Sequence, residues 1–498
     1  MLLSAVAATA AFPPLDWGFL AWIALVPLFY AITNARRPRH AAGLAYLFGF
    51  VHFGWVISWI GTTVTNWTLS PIGWVAWFFL TAIKSGWWAL FGFMAWWIAA
   101  KSTGPARAIG FAAAWTLVEW FRGQTGVAMP WALIGYTQYR FLPLIQCADL
   151  AGVYLVTLAL ACVNAGVVGL LGRCRMPDAR RLVLGPAILV AVMLVYGYVA
   201  LNRDYAGPTV RLALMQPNIR SDRHDPEAAV RDLKAINDLA VKVAPQRPEL
   251  IIWPETIAPT DAVTDPFSRQ VFSRMALRTG AFVLAGTTYH DERDRSYNSA
   301  ALFSPDGRLV TRYDKRWLVP MGEWVPLRSW MPFGDVFHFP TETTPGRVDT
   351  PVEAGPVRMS VLICYESVFP ILPRIGAAEG ANLMVSITND SWAGRSSELD
   401  QHLAMTVFRA VETRRCVASA ATTGVTGLIE PTGRINYIQP YQEDSLIAEA
   451  KLLSAVTPYV RVGDLFVGIC AFYLAGMWIW ESQKRRNGSG PDQPTAET

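Results

Sequence analysis

The stretch SVLICYESVF, Ser360–Phe369, has the pattern of a buried β-strand that ends at a cysteine. Its first residues are mostly apolar, and the polar pair Tyr365 and Glu366 follows Cys364 directly, where a strand would leave its sheet. A free cysteine is usually a small buried hydrophobic residue. A cysteine at a strand end also suits a nucleophile that faces a pocket, and the rest of the chain separates these two interpretations.

The composition of the 498-residue chain is typical of a membrane protein. Hydrophobic residues make up 52% of it and charged residues 16%, with 21 tryptophans and a mean hydropathy of +0.27. The most apolar sequence lies at both ends, while acidic residues, prolines and turn signals are concentrated between them. We predict a transmembrane helical bundle at 1–202, a polar domain at 209–450 and a C-terminal transmembrane helix at 464–481.

Apolar runs of membrane-spanning length are frequent in the bundle. They lie at about 17–33, 42–62, 73–99, 108–121, 146–171 and 182–201. An earlier run, 1–12, is shorter than the roughly 20 residues that a span needs, and we interpret it as a truncated or tilted helix. With the helix at 464–481, the chain is predicted to have eight spans.

Basic residues between these runs predict the orientation. They cluster at 34–40, 101–107, 172–181 and 482–487, which fall on one face of the membrane if there are eight spans. Lys and Arg are retained on the cytoplasmic side, so the polar domain is predicted to lie opposite, on the periplasmic side of a bacterial inner membrane.

Several classes of function are disfavoured. Much of the net charge of +5 lies in the basic loops, and no basic patch with interleaved aromatic residues suggests a nucleic-acid partner. No HExxH, CxxC, GxSxG or P-loop pattern occurs, so we predict no metal and no cofactor. Of the six cysteines, only Cys364 and Cys416 share the polar domain, and the sequence leaves open whether they form a disulfide.

The polar domain contains short β-branched runs that end in polar residues, at 210–219, 250–256, 281–290, 360–367, 382–390 and 416–424. Helical patterns at 226–243 and 400–415 separate some of them, which predicts a mixed sheet covered by helices. Functional side chains of such sheets collect beyond the strand ends, here Gln216, Glu255, Cys364 and Asn389.

These strand ends can support nucleophilic chemistry. A thiol attacks as a thiolate and needs a base or a neighbouring cation. Glu255 can be the base, and Lys315 can stabilise a thiolate or a developing oxyanion. Each residue also has an ordinary structural interpretation: Glu255 as an acid at a helix start, Lys315 as a solvated turn lysine and Cys364 as a core residue.

The joint pattern is more specific than any single residue. The segments IIWPET (251–256), YDKRWLVPMGEWVP (313–326) and LICYES (362–367) resemble the Glu-Lys-Cys triad segments of the nitrilase, or carbon–nitrogen hydrolase, superfamily. Three further segments are similar to segments of the membrane-bound apolipoprotein N-acyltransferases of this superfamily: NDSWAG (389–394), QHLAMTVFRAVETRR (401–415) and TTGVTGLIEPTG (422–433). The predicted order of seven helices, one polar domain and a closing helix is also similar to that of these proteins.

The resemblance implies a nitrilase-like α-β-β-α sandwich with Glu255 as general base, Lys315 as transition-state stabiliser and Cys364 as nucleophile. It also implies a supporting or substrate-binding set, namely Glu323, Tyr365, Glu366, Trp392 and Asn389. Two bundle segments, VEWFRG (118–123) and PWALIGYTQY (130–139), also look like family segments. An equally good interpretation of those two is aromatic anchoring at the membrane interface.

The implied reaction is a two-step acyl transfer. A membrane phospholipid acylates Cys364 as a thioester, and the α-amine of the N-terminal S-diacylglyceryl cysteine of an apolipoprotein then takes the acyl group. The exposed apolar loops 325–337 and 391–394 are candidate lids of a lateral opening, with simple packing on the bundle as the alternative.

The chain departs from the family pattern at a few positions. His224 lies nearest the place of a usual tryptophan, Ala393 replaces a common phenylalanine, and Lys84 lies inside an apolar run. Two other functions stay open: a membrane-tethered nitrilase-type amidase that transfers the acyl group to water, and a transporter or non-catalytic scaffold in which the triad pattern is a coincidence.

Overall fold

The computed structural model of the protein describes residues 1–124, 128–171, 176–219, 226–325, 342–347 and 350–488. The N-terminal part is helical. Its helices are α1 (Leu2–Ala10), α2 (Val26–Thr33), α3 (Pro38–Val56), α4 (Trp59–Thr68), α5 (Ile72–Lys84), α6 (Gly86–Lys101), α7 (Gly104–Arg122), α8 (Leu142–Ile145), α9 (Ala148–Ala151), α10 (Val153–Leu171) and α11 (Met176–Leu201).

Fewer helices than predicted are long and apolar enough to cross a membrane. Among the described residues there are four, at Ile72–Lys101, Val153–Leu171, Ala179–Leu201 and Leu465–Lys484. A fifth is counted if α3 and the start of α4, bent by 50° to each other, are one span. The predicted eight spans are therefore not confirmed. α1 has nine residues, about 14 Å of helix, and the run at 17–33 is divided into a 3-10 turn and α2.

The two most exposed of these helices present apolar side chains outward. On α11, Ile188, Val192 and Val195 are exposed, and on the C-terminal helix Ile469 and Phe472 are exposed. Rows of large exposed apolar side chains on long helices are typical of surfaces that contact lipid. The helical part of the chain therefore has the surface of a membrane domain.

The polar domain contains two six-stranded sheets. Sheet I has the order β12-β1-β2-β3-β4-β5, and sheet II has the order β11-β10-β9-β8-β7-β6. The strands of sheet I are β1 (Thr209–Gln216), β2 (Leu250–Ile252), β3 (Phe282–His290), β4 (Ser296–Phe303), β5 (Leu309–Asp314) and β12 (Asp444–Lys451). Those of sheet II are β6 (Val352–Ala354), β7 (Val357–Ile363), β8 (Leu383–Thr388), β9 (Val417–Ala421), β10 (Thr426–Ile429) and β11 (Ile435–Ile438).

Both sheets are mixed. β1, β2 and β3 are parallel to one another, as are β7, β8 and β9, while the outer strands pair antiparallel. The central strands β2 and β8 are buried on both faces, which explains their largely apolar sequences.

The sheets pack face to face between two helical layers. Leu212 and Ile252 of sheet I share one core with Val361 and Ile387 of sheet II. Helices α12 (Pro226–Val243) and α13 (Pro266–Thr279) cover sheet I, and α14 (Ile371–Ala378) and α15 (Glu398–Thr413) cover sheet II. The strand pattern predicted a mixed sheet, and the structure has two of them, as in the α-β-β-α sandwich that the resemblance implied.

Helix α15 joins the sandwich to the bundle. Its buried residues belong to the same apolar core as those of the bundle helices. Trp131 donates from Nε1 to Gln401 Oε1 at 2.6 Å, and Val153 N donates to Glu412 Oε1 at 3.0 Å. The chain ends with α16 (Pro458–Val462) and α17 (Leu465–Gly488), which returns to the bundle and packs on α7.

Candidate active site

The predicted catalytic residues meet where strands of the two facing sheets end. Glu255 follows β2, Lys315 directly follows β5, Cys364 directly follows β7 and Asn389 directly follows β8. The carboxyl ends of neighbouring parallel strands share one edge of a sheet. Gln216, at the end of β1, instead donates from its side chain to the backbone oxygens of two loop residues at 439 and 442, so it braces that loop.

Lys315 lies between two carboxylates. Its Nζ is 2.9 Å from Glu323 Oε1 and 3.5 Å from Glu255 Oε1, and the lysine is only 1% exposed. Asn298 Nδ2 donates to the same two oxygens, at 2.9 Å to Glu323 and 2.7 Å to Glu255. Asn389 N donates to the other oxygen of Glu255 at 2.8 Å, so the orientation of that carboxylate is well determined.

The charge of Lys315 is stabilised by these neighbours. Burial lowers the pKa of its ammonium group, but the charges of Glu323 and Glu255 outweigh burial, and the net pKa lies above the ordinary value. Lys315 is therefore a permanent cation in the resting site.

Cys364 lies at a sharp turn between β7 and a 3-10 turn, Cys364–Val368. Its φ is +53°, a left-handed conformation that costs a non-glycine residue on the order of 1–3 kcal/mol. The pKa of its thiol is raised well above the ordinary value, first by burial and then by Glu255, while Lys315 lowers it. The resting group is therefore a thiol, and attack requires a base. Cys364 and Cys416 are both free, so they form no disulfide.

Glu366 holds the Cys364 turn next to the Lys315 loop. It is fully buried and accepts hydrogen bonds from Ile363 N at 2.9 Å, from Arg316 N at 2.8 Å and from Trp317 N at 3.1 Å. The Tyr313 hydroxyl donates to both of its oxygens, at 3.0 and 2.9 Å. The Glu366 carboxylate thus holds Ile363, which precedes Cys364, in a fixed position relative to Arg316, which follows Lys315.

A cavity of about 530 Å³ lies beside the nucleophile turn. Its lining residues include Tyr365, Phe369, Trp317 and Trp324, and the rings of Trp317 and Phe369 contact each other with centroids 4.4 Å apart. The Tyr365 hydroxyl donates to Ala128 O in the bundle at 2.6 Å. The cavity therefore opens at the junction of sandwich and bundle, with an aromatic lining that suits an apolar chain.

Trp392, the candidate lid loop and His224 were also singled out in the sequence. Trp392 is half-buried in the 3-10 turn Asp390–Ala393. Of the candidate lid loop 325–337, residues 326–337 lie outside the described residues, as does His224.

Sequence reasoning missed Asn298, which bridges both carboxylates of the site. It lies in strand β4, SYNSAALF, and an amide in the polar half of that strand is the signal that could have found it. A buried group of Asp390, Glu398 and His402 behind the Cys364 turn was also missed. Burial raises the pKa of Asp390 to about 6, raises that of Glu398 well above its ordinary value and lowers that of His402 to about 4.

Two families match the chain. The family described as apolipoprotein N-acyltransferase N-terminal domain matches residues 4–166, and the carbon-nitrogen hydrolase family matches residues 211–455. The first match covers most of the helical part, and the second covers the two-sheet sandwich.

Similar proteins match both parts together. An apolipoprotein N-acyltransferase of Geobacter metallireducens is 33% identical over 482 residues, which cover 94% of this chain and 92% of that protein. One of Methylococcus capsulatus is 32% identical, covering 98% of this chain and 96% of the relative. One of Azotobacter vinelandii is 31% identical with the same coverage.

Proposed function

Since this chain belongs to the apolipoprotein N-acyltransferase family, we propose that it acylates the N-terminal S-diacylglyceryl cysteine of apolipoproteins with an acyl chain from a membrane phospholipid. The observation that carries the mechanism is the turn that presents Cys364 beside a lysine held between two carboxylates. Glu255 is the base, Lys315 the oxyanion stabiliser and Cys364 the nucleophile.

The first step forms the acyl-enzyme. Glu255 takes the proton of the Cys364 thiol, and the thiolate attacks the ester carbonyl of the phospholipid. Lys315 stabilises the oxyanion of the tetrahedral intermediate. The intermediate collapses to a thioester, and the leaving alkoxide of the lysophospholipid takes the proton from Glu255.

The second step transfers the acyl group to nitrogen. The uncharged α-amine of the diacylglyceryl cysteine attacks the thioester, and Glu255 accepts a proton from the nitrogen as the amide forms. The Cys364 thiolate leaves and regains that proton from Glu255. Because lysophospholipid leaves before the apolipoprotein enters, the kinetics are ping-pong.

The second carboxylate, Glu323, has a role in this cycle. When Glu255 carries the proton of Cys364, it no longer attracts the Lys315 ammonium group. Glu323 stays 2.9 Å from that ammonium and keeps it oriented while the oxyanion develops. Asn298 bonds to both carboxylates and holds them at a fixed separation.

The bundle brings the site to its lipid substrates. Moving one CH₂ group from lipid to water costs about 0.8 kcal/mol, so extracting a sixteen-carbon chain costs on the order of 10 kcal/mol. A site that opens at the bilayer surface avoids this cost. We propose that the catalytic domain lies on the periplasmic side of a bacterial inner membrane, which is where the four basic clusters place it if the chain crosses the membrane eight times.

The decisive experiment is the mass of the intact protein after incubation with phospholipid and no acceptor. We expect one added acyl group, located on Cys364 and removed by neutral hydroxylamine. Cys364→Ala should gain nothing, whereas Cys416→Ala, which removes the other free cysteine of the domain, should be acylated normally. An acyl group on Cys364→Ala would contradict the mechanism.

The molecule that accepts the acyl group distinguishes an N-acyltransferase from an amidase, which transfers the group to water. Adding a diacylglyceryl peptide should discharge the acyl-enzyme to an N-acyl peptide. Release of free fatty acid at the same rate with and without the peptide would favour transfer to water.

A further inference from the structure

The side chains of Asp390, Glu398 and His402, each of which can act as a metal ligand, lie close together behind the Cys364 turn. His402 Nδ1 lies 3.9 Å from Asp390 Oδ1 and 3.7 Å from Glu398 Oε1, and the donor atoms of all three residues lie within 4.8 Å of one another. All three residues are buried, at 7–8% exposure. Neither separation from His402 is short enough for a hydrogen bond.

His402 can present a lone pair to the two carboxylates. Its Nε2 lies 2.5 Å from the Ser367 hydroxyl oxygen, which also lies 2.9 Å from Cys364 O. When the hydroxyl proton is assigned to the bond with Cys364 O, the hydroxyl accepts from Nε2–H and Nδ1 is unprotonated. A metal bound at Nδ1 requires this tautomer.

Glu398 is left incompletely satisfied. Its Oε2 is buried and has no hydrogen-bond partner within the part of the chain that the structure describes. Among the described residues, no Lys or Arg nitrogen lies within 4.0 Å of the carboxylate of Asp390 or Glu398. Buried carboxylates are costly unless they are paired, protonated or bound to a metal.

We propose that Asp390, Glu398 and His402 bind a divalent transition-metal cation such as Zn²⁺. One imidazole and two carboxylates are ligands that first-row dications accept. Ligands on one zinc ion lie about 2.0–2.2 Å from it, and therefore roughly 3.3–3.6 Å apart in a tetrahedral arrangement. The separations of 3.7 and 3.9 Å from His402 Nδ1 need a closure of a few tenths of an ångström, and the two carboxylates, within 4.8 Å of each other, need a closure of up to about 1.5 Å.

The sequence shows no familiar metal motif because the ligands come from two elements. Glu398 and His402 share one face of α15 at i, i+4 spacing, whereas Asp390 comes from the turn after β8. The spacing of these residues along the sequence does not predict that Asp390 lies close to Glu398 and His402.

A cation here would act as a structural clamp. Asp390 adjoins Asn389, whose N–H binds Glu255, and His402 reaches the Cys364 turn through Ser367. The cation would thus tie the base, the nucleophile turn and α15 together without contacting the substrate.

Zinc content of the full-length protein tests the proposal. The protein is purified in detergent through a tag without histidine, incubated with Zn²⁺, desalted and analysed by plasma mass spectrometry. We expect one zinc per chain in the wild type and its loss in Glu398→Gln, which keeps the side-chain size. Asp400→Asn, two residues further along the same helix, is the matched control and should keep the metal.

Cys364→Ala distinguishes this site from metal binding by the catalytic thiol, and it should retain one zinc. Zinc should also raise the Tm of the wild type but not of Glu398→Gln. The proposal is overturned by a wild type without zinc, by full zinc in Glu398→Gln or by loss of zinc in Cys364→Ala. Zinc content does not depend on acyl transfer, so this result is independent of the proposed function.

Discussion

Replacing Glu366 by glutamine should displace the proposed nucleophile Cys364 without changing any of the three proposed catalytic side chains. Every partner of the carboxylate is a donor: one oxygen accepts from Arg316 N and Trp317 N, the other accepts from Ile363 N, and the Tyr313 hydroxyl reaches both. A glutamine has one acceptor oxygen, and its amide nitrogen must face a donor.

The less costly orientation places the amide nitrogen against Ile363 N, because the reverse would lose two backbone donors. A buried donor left without a partner costs about 1–3 kcal/mol. At about 2–4 °C per kcal/mol for a domain of this size, the Tm should fall by roughly 5 °C. Ile363 immediately precedes Cys364, so the nucleophile shifts relative to Lys315. A misplacement near 1 Å can reduce the rate on the order of 100-fold.

The measurement is the rate of thioester formation by intact mass, taken well below the Tm of the variant. Glu379→Gln, an exposed glutamate of the same domain, is the control and should match the wild type. If Glu366→Gln lowered the Tm but formed the thioester at the wild-type rate, the positioning role would be refuted. An unchanged Tm would refute the hydrogen-bond argument itself.

Two further variants test the base. In Gly286→Ala, the new Cβ would lie 2.6 Å from the Glu255 Cα, so the base must move and thioester formation should slow about 100-fold, as measured by intact mass. In Glu255→Gln, thioester formation should stop while alkylation of Cys364 by iodoacetamide at pH 7 becomes faster. Removing the carboxylate lowers the pKa of Cys364, because Glu255 raises it. Slower alkylation would contradict this sign.

Largely apolar runs and the polar residues that follow them account for the part of the site that was predicted from the sequence. Glu255, Cys364 and Asn389 each follow a largely apolar run that forms a central parallel strand, β2, β7 or β8. Such runs are recognisable because both faces of the strand are buried. The polar residue after each run is therefore predictable as a residue at the sheet edge.

The outer strands were not predictable in the same way. β5, LVTRYD, is largely exposed or half-exposed, and β11, INYI, has four residues, so neither shows a clear apolar pattern. The pairing of two sheets depends on contacts between distant segments, such as Leu212 and Val361. Asn298 was missed for the same reason, since its partners come from Glu255 and Glu323, 43 and 25 residues away along the chain.

The described residues contain fewer continuous apolar helices of membrane-spanning length than the sequence predicted, because hydropathy does not report helix continuity. The 50° bend between α3 and α4 divides one apolar run into two helices that have the length and hydropathy of a span only when they are taken together. Buried polar residues can satisfy the backbone at such breaks, as Asn164 does by accepting from Leu25 N at 2.8 Å.

The contacts of α15 indicate that the sandwich and the bundle act as one catalytic unit. Gln401 bonds to Trp131 of the bundle, and its neighbour His402 bonds to the turn that carries Cys364. Tyr365 makes a second direct link, through Ala128 O. A displacement of the bundle segment that contains Ala128 and Trp131 would therefore move the Cys364 turn through both of these links. The membrane part contributes to the geometry of the active site as well as anchoring it, which explains why an isolated sandwich would lack both its lipid entrance and the support of its nucleophile.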